Sequence, residues 1–170
     1  GFGGSCFKKD ILNLVYLSEF FGLPEVAAFW ESVVNLNNWH QNRISKLITK
    51  KLFGTLSNKK IVILGFAFKA NTNDTRESAA IQICKNLLEE EAYLIIHDSK
   101  VRIEQIEVDL DKNVLKSDSK NENNSNIFNG GNWDFAKDLS EIFQNADAVV
   151  ILTEWDIYFD LDWNEIANKM

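Results

Sequence analysis

The sequence predicts an α/β fold, a long central helix arm followed by an open, mainly parallel sheet with flanking helices. Three observations predict it. Residues 10–52 carry apolar side chains at helical spacing, broken only around Gly22 and Pro24. From Lys60 the pattern switches to short continuous runs of aliphatic and β-branched residues: Lys60 to Gly65, Tyr93 to Asp98 and Ala148 to Thr153. Such runs mark strands buried on both faces, the habit of parallel sheets. A helical segment between the first two gives the spacing of a crossover between parallel strands.

Each element follows from its residues. Ile11, Leu12, Leu14, Val15, Leu17, Phe20 and Phe21 predict a helix over 10–21, with Asp10 as N-cap or first-turn acid. Gly22 closes it, and Pro24 with Glu25 opens a second helix that runs to about Leu52. Val26, Phe29, Trp30, Val33, Val34, Ile44, Leu47 and Ile48 give that helix an apolar stripe, and Gly54 lies beyond its end. At 1.5 Å per residue it spans roughly 40 Å, more than a small domain needs, so it is expected to cross between domains or subunits. The strand at 60–65 follows. The next helix is expected from Asp74 to about Glu90, opened by a capping box of Asp74 with Glu77. After the strand at 93–98 and a short stretch at Ile103 to Leu110, Lys112 to Asn132 turns polar and reads as a surface loop or insertion. A helix near Phe135 to Asn145, the strand at 148–153 and a last helix at Trp163 to Met170 complete the pattern.

Composition narrows the function. The 170 residues carry 18 Lys+Arg against 25 Asp+Glu, a net charge of -7, which lacks the basic footprint of a non-specific nucleic-acid binder. Apolar residues at 45% place the chain among globular proteins, and no apolar run approaches the length of a membrane span. The start has no basic segment followed by an apolar one, so no signal peptide is read there. It also has no Met, and the chain is expected to begin within a longer protein. Cys6 and Cys84 are expected as reduced thiols in a cytoplasmic protein. Two histidines without paired Cys/His spacing give no metal site.

A few residues could carry chemistry. Cys6 follows Gly3-Gly4-Ser5 and precedes a helix, with Lys8 and Lys9 close by. A helix N-terminus favours a thiolate, and a thiolate can attack a carbonyl carbon. A free thiol in a terminal segment is the competing reading. Asp10, four residues on, shares the face of Cys6 and could orient a water or simply cap the helix. Lys69, in Gly65-Phe66-Ala67-Phe68-Lys69, stands at the carboxyl end of the first strand, where open α/β sheets bind ligands. Arg76, expected in the first turn of a helix, runs against the helix dipole, a hint of function; a surface Arg paired with Asp74 or Glu77 is the competing reading. The strand-turn-helix lacks a Gly-x-Gly-x-x-Gly fingerprint and is no standard dinucleotide site. Asp98 reads as a turn cap, Cys84 as an inert core thiol, and Trp155 with Asp156 as residues of the same sheet edge.

Three ordered motifs then bring a resemblance. Gly1-Phe2-Gly3-Gly4-Ser5-Cys6-Phe7-Lys8-Lys9-Asp10 resembles the catalytic-cysteine segment of the UDP-glucose/GDP-mannose dehydrogenase family. Gly65 to Lys69 with Asp74-Thr75-Arg76-Glu77-Ser78 resembles its second signature, and Thr153-Glu154-Trp155-Asp156 a third. The Phe66-Ala67-Phe68-Lys69 and Asn13-Leu14-Val15-Tyr16-Leu17 stretches are most similar to the members that act on UDP-glucose. The resemblance implies a central helical, dimerising region over 1–56, a Rossmann-like UDP-sugar-binding domain over 57–170, and an NAD-binding domain upstream. It implies NAD as cofactor, UDP-glucose as partner and a homodimer or larger homo-oligomer. Cys6 and Asp10 fall on catalytic positions. Gly1, Phe2, Gly3, Phe68 and Lys69 fall on substrate contacts, and Cys6, Phe7, Lys8, Lys9 and Arg76 on NAD contacts. The implied reaction oxidises a sugar alcohol to a carboxylate in two hydride transfers, through a thiohemiacetal and a thioester on Cys6. The alternatives are a non-catalytic UDP-sugar-binding module and a dehydrogenase of another nucleotide sugar.

Overall fold

The computed structural model describes residues 1–110 and 131–170. Helix α1, Phe7–Phe20, and helix α2, Pro24–Lys51, form the arm and pack on one another. Gly22, with a φ of 70°, makes the left-handed turn between them, and Pro24 sits in the first turn of α2, where its missing N–H costs nothing. The second half of α2 lies over the sheet domain. Ile44, Ile48 and Leu52 pack against the core, and Asn86 donates to Asn42 and Ser45 across the contact.

The sheet holds four parallel strands: β1, Lys60–Leu64; β2, Tyr93–His97; β3, Asn132–Phe135; and β4, Ala148–Ile151. Their order is β3-β2-β1-β4. Helix α3, Ala79–Glu89, joins β1 to β2, and its buried Ala80, Ile83, Cys84 and Leu87 form one stripe. Ile61, Val62, Ile63 and Leu64 are fully buried, as a central strand covered on both faces requires. Helix α4, Ile103–Asp109, follows β2; the short α5, Asp156–Phe159, and α6, Trp163–Lys169, follow β4.

The predicted α/β class and parallel sheet stand, but several boundaries move. Helix α1 begins at Phe7, which puts Cys6 at the N-cap and Asp10 inside the first turn. Helix α3 begins at Ala79, capped by the Ser78 hydroxyl, and not at Asp74. The expected capping box fails because the Asp74 carboxylate accepts from Arg76 N at 3.0 Å in a local turn, and Glu77 sits at a φ of 53°, outside the helix. Arg76 therefore precedes the helix, and its supposed conflict with the helix dipole disappears. No helix forms at Phe135 to Asn145: Phe135 ends β3, and turns follow. Gln144 N donates to Glu141 O and Ala146 N to Phe143 O, three residues back each time, and Asn145 at a φ of 54° stops the coil. β4 ends at Ile151, two residues early, and α5 was unforeseen. The predicted polar loop lies outside the described residues except for Gly131 and Asn132, and Asn132 opens β3.

Candidate functional site

The cysteine segment and the turns after β1, far apart in sequence, meet at one place. Gly3 lies against Phe68 and the Glu77 carbonyl so closely that a side chain there would enter backbone. Gly4, at a φ of 84°, donates its N–H to Arg76 O at 2.9 Å and faces the Phe68 ring. Lys8 reaches Glu77 in an ion pair of 2.8 Å. From the other side, Asn37 on α2 clamps the Phe2 backbone, accepting from its N–H at 2.7 Å and donating to its carbonyl at 3.0 Å. The segment that carries Cys6 is thus held between the arm and the loop after β1.

Cys6 is exposed at the N-cap of α1, with no side-chain cap of its own, and the Asp10 N–H donates to its carbonyl at 2.9 Å. The first N–H groups of α1 have no carbonyl partner within the helix and face this end. Asp10 is exposed one turn along. Lys69 is exposed, its ammonium 5.3 Å from the Phe68 ring centroid. Arg76 is exposed as well, and Asp74 holds its guanidinium in a fork of two bonds at 2.8 and 2.9 Å. That hydrogen bonding keeps the Asp74 carboxyl below the usual carboxylate range and Arg76 firmly charged. Gly1, Phe2, Gly3, Phe68, Lys69, Cys6, Lys8 and Arg76 are therefore brought to one neighbourhood. Phe7 points its ring at Phe2, edge to face at 4.8 Å, while Lys9 lies exposed on α1.

Behind this surface, the carboxyl ends of the strands are locked by a residue whose sequence position predicts only a turn cap. Asp98, buried after β2, accepts from Phe66 N, Ala67 N and Trp155 Nε1 on one oxygen and from Lys100 N and Val101 N on the other. Trp155 is consequently core, and Asp156 is exposed at the start of α5. Nearby, His97 Nδ1 pairs with the Tyr158 hydroxyl at 2.8 Å. Burial pushes the His97 imidazole below its ordinary value, against the pull of Asp98 and Asp138, and pushes the Tyr158 phenol up. Cys84 is fully buried, which raises its thiol far out of the reactive range.

Sequence reasoning missed Asn37, Ser78 and Thr153 as shapers of the site. The Ser78 and Thr153 signal lay in the motifs themselves; for Asn37, only its place on the apolar side of α2 marked it. An aromatic-walled hollow of about 320 Å³ beyond β4 is lined by Ile151, Thr153, Trp155, Tyr158, Phe159 and Trp163. None of the Gly3–Cys6, Phe68–Lys69 or Asp74–Glu77 residues lines it. Among the described residues no cluster of His, Cys, Asp and Glu could hold a metal, and no helix is long and apolar enough to cross a membrane.

The chain is similar to known proteins over its whole length. Residues 62–170 match the model of the UDP-glucose/GDP-mannose dehydrogenase family, UDP binding domain. The whole chain is 48% identical over 170 residues to the UDP-glucose 6-dehydrogenase of Pongo abelii, covering 33% of that protein. It is also 48% identical over 171 residues to that of Drosophila melanogaster, covering 34% of it. The chain thus spans about a third of the length of these relatives. Among solved structures, a UDP-glucose dehydrogenase from the hyperthermophilic archaeon Pyrobaculum islandicum superposes with a TM-score of 0.73 at 29% identity, over 96% of this chain and 32% of that one.

Proposed function

The chain belongs to the UDP-glucose/GDP-mannose dehydrogenase family, and from that premise we propose that it is the C-terminal part of an NAD-dependent UDP-glucose 6-dehydrogenase. Residues 1–56 are the central dimerising region with the nucleophile, and 57–170 the UDP-sugar-binding domain. The observation that carries the reading is the meeting of the Gly3–Cys6 segment with the Phe68–Lys69 and Asp74–Glu77 turns.

The chemistry follows from the residues. Gly1, Phe2, Gly3 and Phe68 contact the sugar nucleotide, and the missing side chain of Gly3 lets the Cys6 segment close on Phe68 and the Glu77 carbonyl. Lys69 meets the negative charge that develops on the sugar oxygen. Cys6 adds to the C6 aldehyde carbon and forms a thiohemiacetal; its oxidation gives a thioester. Asp10 orients the water that hydrolyses the thioester, and the thiolate leaves. A thiolate suits both steps because it is a strong nucleophile and a fair leaving group.

NAD, when bound, would supply the hydride acceptor, one molecule for each of the two oxidations. The turn after β1 does not fit its diphosphate: the Phe66 and Ala67 amides that would cradle a phosphate already bond Asp98. The rim of the α1 N-terminus fits better, with Arg76, Lys8 and Lys9 supplying positive charge. Cys6, Phe7, Lys8, Lys9 and Arg76 would line the cofactor site.

The test is Cys6→Ser in the full-length protein. It abolishes UDP-glucuronate formation, because an alkoxide leaves far less readily than a thiolate. Retained turnover would refute the assignment.

A further inference from the structure

The turn that follows β1 is built in an unusual way. Every backbone polar group of Phe66 and Ala67 is taken by a buried side chain from a different element. Their two N–H groups donate to Asp98 Oδ2 at 2.7 and 3.0 Å. The Phe66 carbonyl accepts from the Ser78 hydroxyl, at the start of α3, at 2.8 Å. The Ala67 carbonyl accepts from the Thr153 hydroxyl, after β4, at 2.6 Å. Trp155, also after β4, adds its indole N–H to the same Asp98 oxygen at 3.2 Å. All four side-chain owners are at most 5% exposed.

Such a cradle fixes the turn more tightly than solvent-paired loop backbone would be fixed. Buried polar groups left without partners cost about 1–3 kcal/mol each, so the side chains and the turn hold each other in one geometry. The next residues of the same chain are Phe68, which packs on Gly3 and Gly4, and Lys69. Gly65 brings the turn against Thr153: at a φ of 93°, its missing Cβ would stand 2.6 Å from the Thr153 hydroxyl.

We infer that Asp98, Ser78 and Thr153 are positioning residues that act through the 66–67 turn to set Phe68 and Lys69 against the Cys6 segment. None of the three needs to touch a ligand. The inference rests on the proposed role of Lys69 at the sugar nucleotide.

The test uses the full-length protein and steady-state rates with UDP-glucose and NAD varied separately. Thr153→Val and Ser78→Ala each remove one bond to the turn; Asp98→Asn turns an amide NH₂ towards donors on one side. Each is measured alone and combined with Lys69→Ala. Displacing a reacting group by ~1 Å can cost on the order of 100-fold, so each cradle variant is expected to lower kcat/KM for UDP-glucose by roughly 10- to 100-fold. The KM for NAD is expected to change by less than about twofold. In the Lys69→Ala background the same cradle substitution is expected to cost clearly less than it does alone, because its route through Lys69 is gone and only that through Phe68 is left. Losses that multiply unchanged, or that strike both ligands equally, would overturn the inference and leave Lys69 in place. A silent Lys69→Ala would overturn both the inference and the proposed role of Lys69. If Asp98→Asn does not fold, the near-isosteric Thr153→Val decides the question by the same cycle.

Discussion

Gly4→Ala separates backbone strain from packing at the site. Gly4 is buried and has a φ of 84°, a conformation that costs an L-residue about 1–2 kcal/mol. Its new methyl would also stand 2.9, 3.1 and 3.2 Å from three carbons of the Phe68 ring. The ring must retreat by roughly half an ångström, and an off-rotamer side chain costs about 0.5–1.5 kcal/mol. The expected destabilisation is therefore about 1.5–3.5 kcal/mol. Gly22→Ala is the control: it has a φ of 70° with no atom within 4 Å of the added methyl, so only the strain of about 1–2 kcal/mol applies. Urea unfolding of both variants isolates the Phe68 contribution by difference. Because Phe68 links the Cys6 segment to Lys69, Gly4→Ala is also expected to lower kcat/KM in the full-length protein by roughly tenfold or more, and Gly22→Ala to leave it unchanged. Equal destabilisation by the two substitutions, or an unaffected rate in Gly4→Ala, would refute the reasoning.

Cys84→Ser is expected to leave turnover intact while costing about 1–3 kcal/mol in urea unfolding, since a hydroxyl replaces a fully buried thiol; loss of chemistry would show the wrong thiol had been chosen. The arm exposes Tyr16, Phe20, Phe29, Leu36 and Trp39, an apolar surface expected to be covered by self-association; a clean monomer in light scattering at micromolar concentration would sink that expectation. Burial holds the His97 pKa below the 6.5 of an unperturbed imidazole, so the unfolded chain binds the proton more readily. The contribution of His97 to stability is full above pH 6.5 and falls as the pH drops through the lowered value, and unfolding of His97→Gln between pH 7.5 and 5 should lack that part of the slope.

What the sequence made legible follows from where each segment is buried. β1 and β2 run through the middle of the sheet and need apolar residues on both faces, so they announce themselves as Ile-Val-Ile-Leu and Leu-Ile-Ile. β3 lies at the outer end of the order β3-β2-β1-β4 and has four residues, with only Trp133 buried between outward-facing Asn132 and Asp134. Nothing in Asn-Trp-Asp-Phe distinguishes it from the polar residues before it. The false helix at 135–145 arose because Leu139, Ile142 and Phe143 are spaced as on a helical face. They reach the core from successive turns instead, a pattern that periodicity alone cannot separate from a coil. In the arm, the apolar stripe of α2 mixed two surfaces: Ile44 and Ile48 pack on the sheet domain, while Phe29 and Leu47 are exposed.

The site shows the same division between local and long-range information. Cys6 at a helix start and Lys69 after a strand are local facts, and the sequence carries them. Asp98 was correctly read as a turn cap, for one of its oxygens does accept from Lys100 and Val101, two and three residues on. Its other oxygen gathers donors 31, 32 and 57 residues away, which only the strand order β2-β1-β4 brings together. That long-range bond set has a consequence for where ligands can sit. In an open parallel sheet the amides beyond the first strand are the natural anion cradle. Here they are filled by a carboxylate of the chain itself. A phosphate brought to the same amides would meet the Asp98 charge, and displacing that carboxylate would strand buried donors from three strand ends. The exposed cations lie outside that crevice, at Lys69 and at Arg76, which is paired with Asp74. The self-filled crevice thus leaves no free amide at Phe66 or Ala67 for an anion, which is why the proposed site is drawn at the seam with the arm, where Cys6 stands.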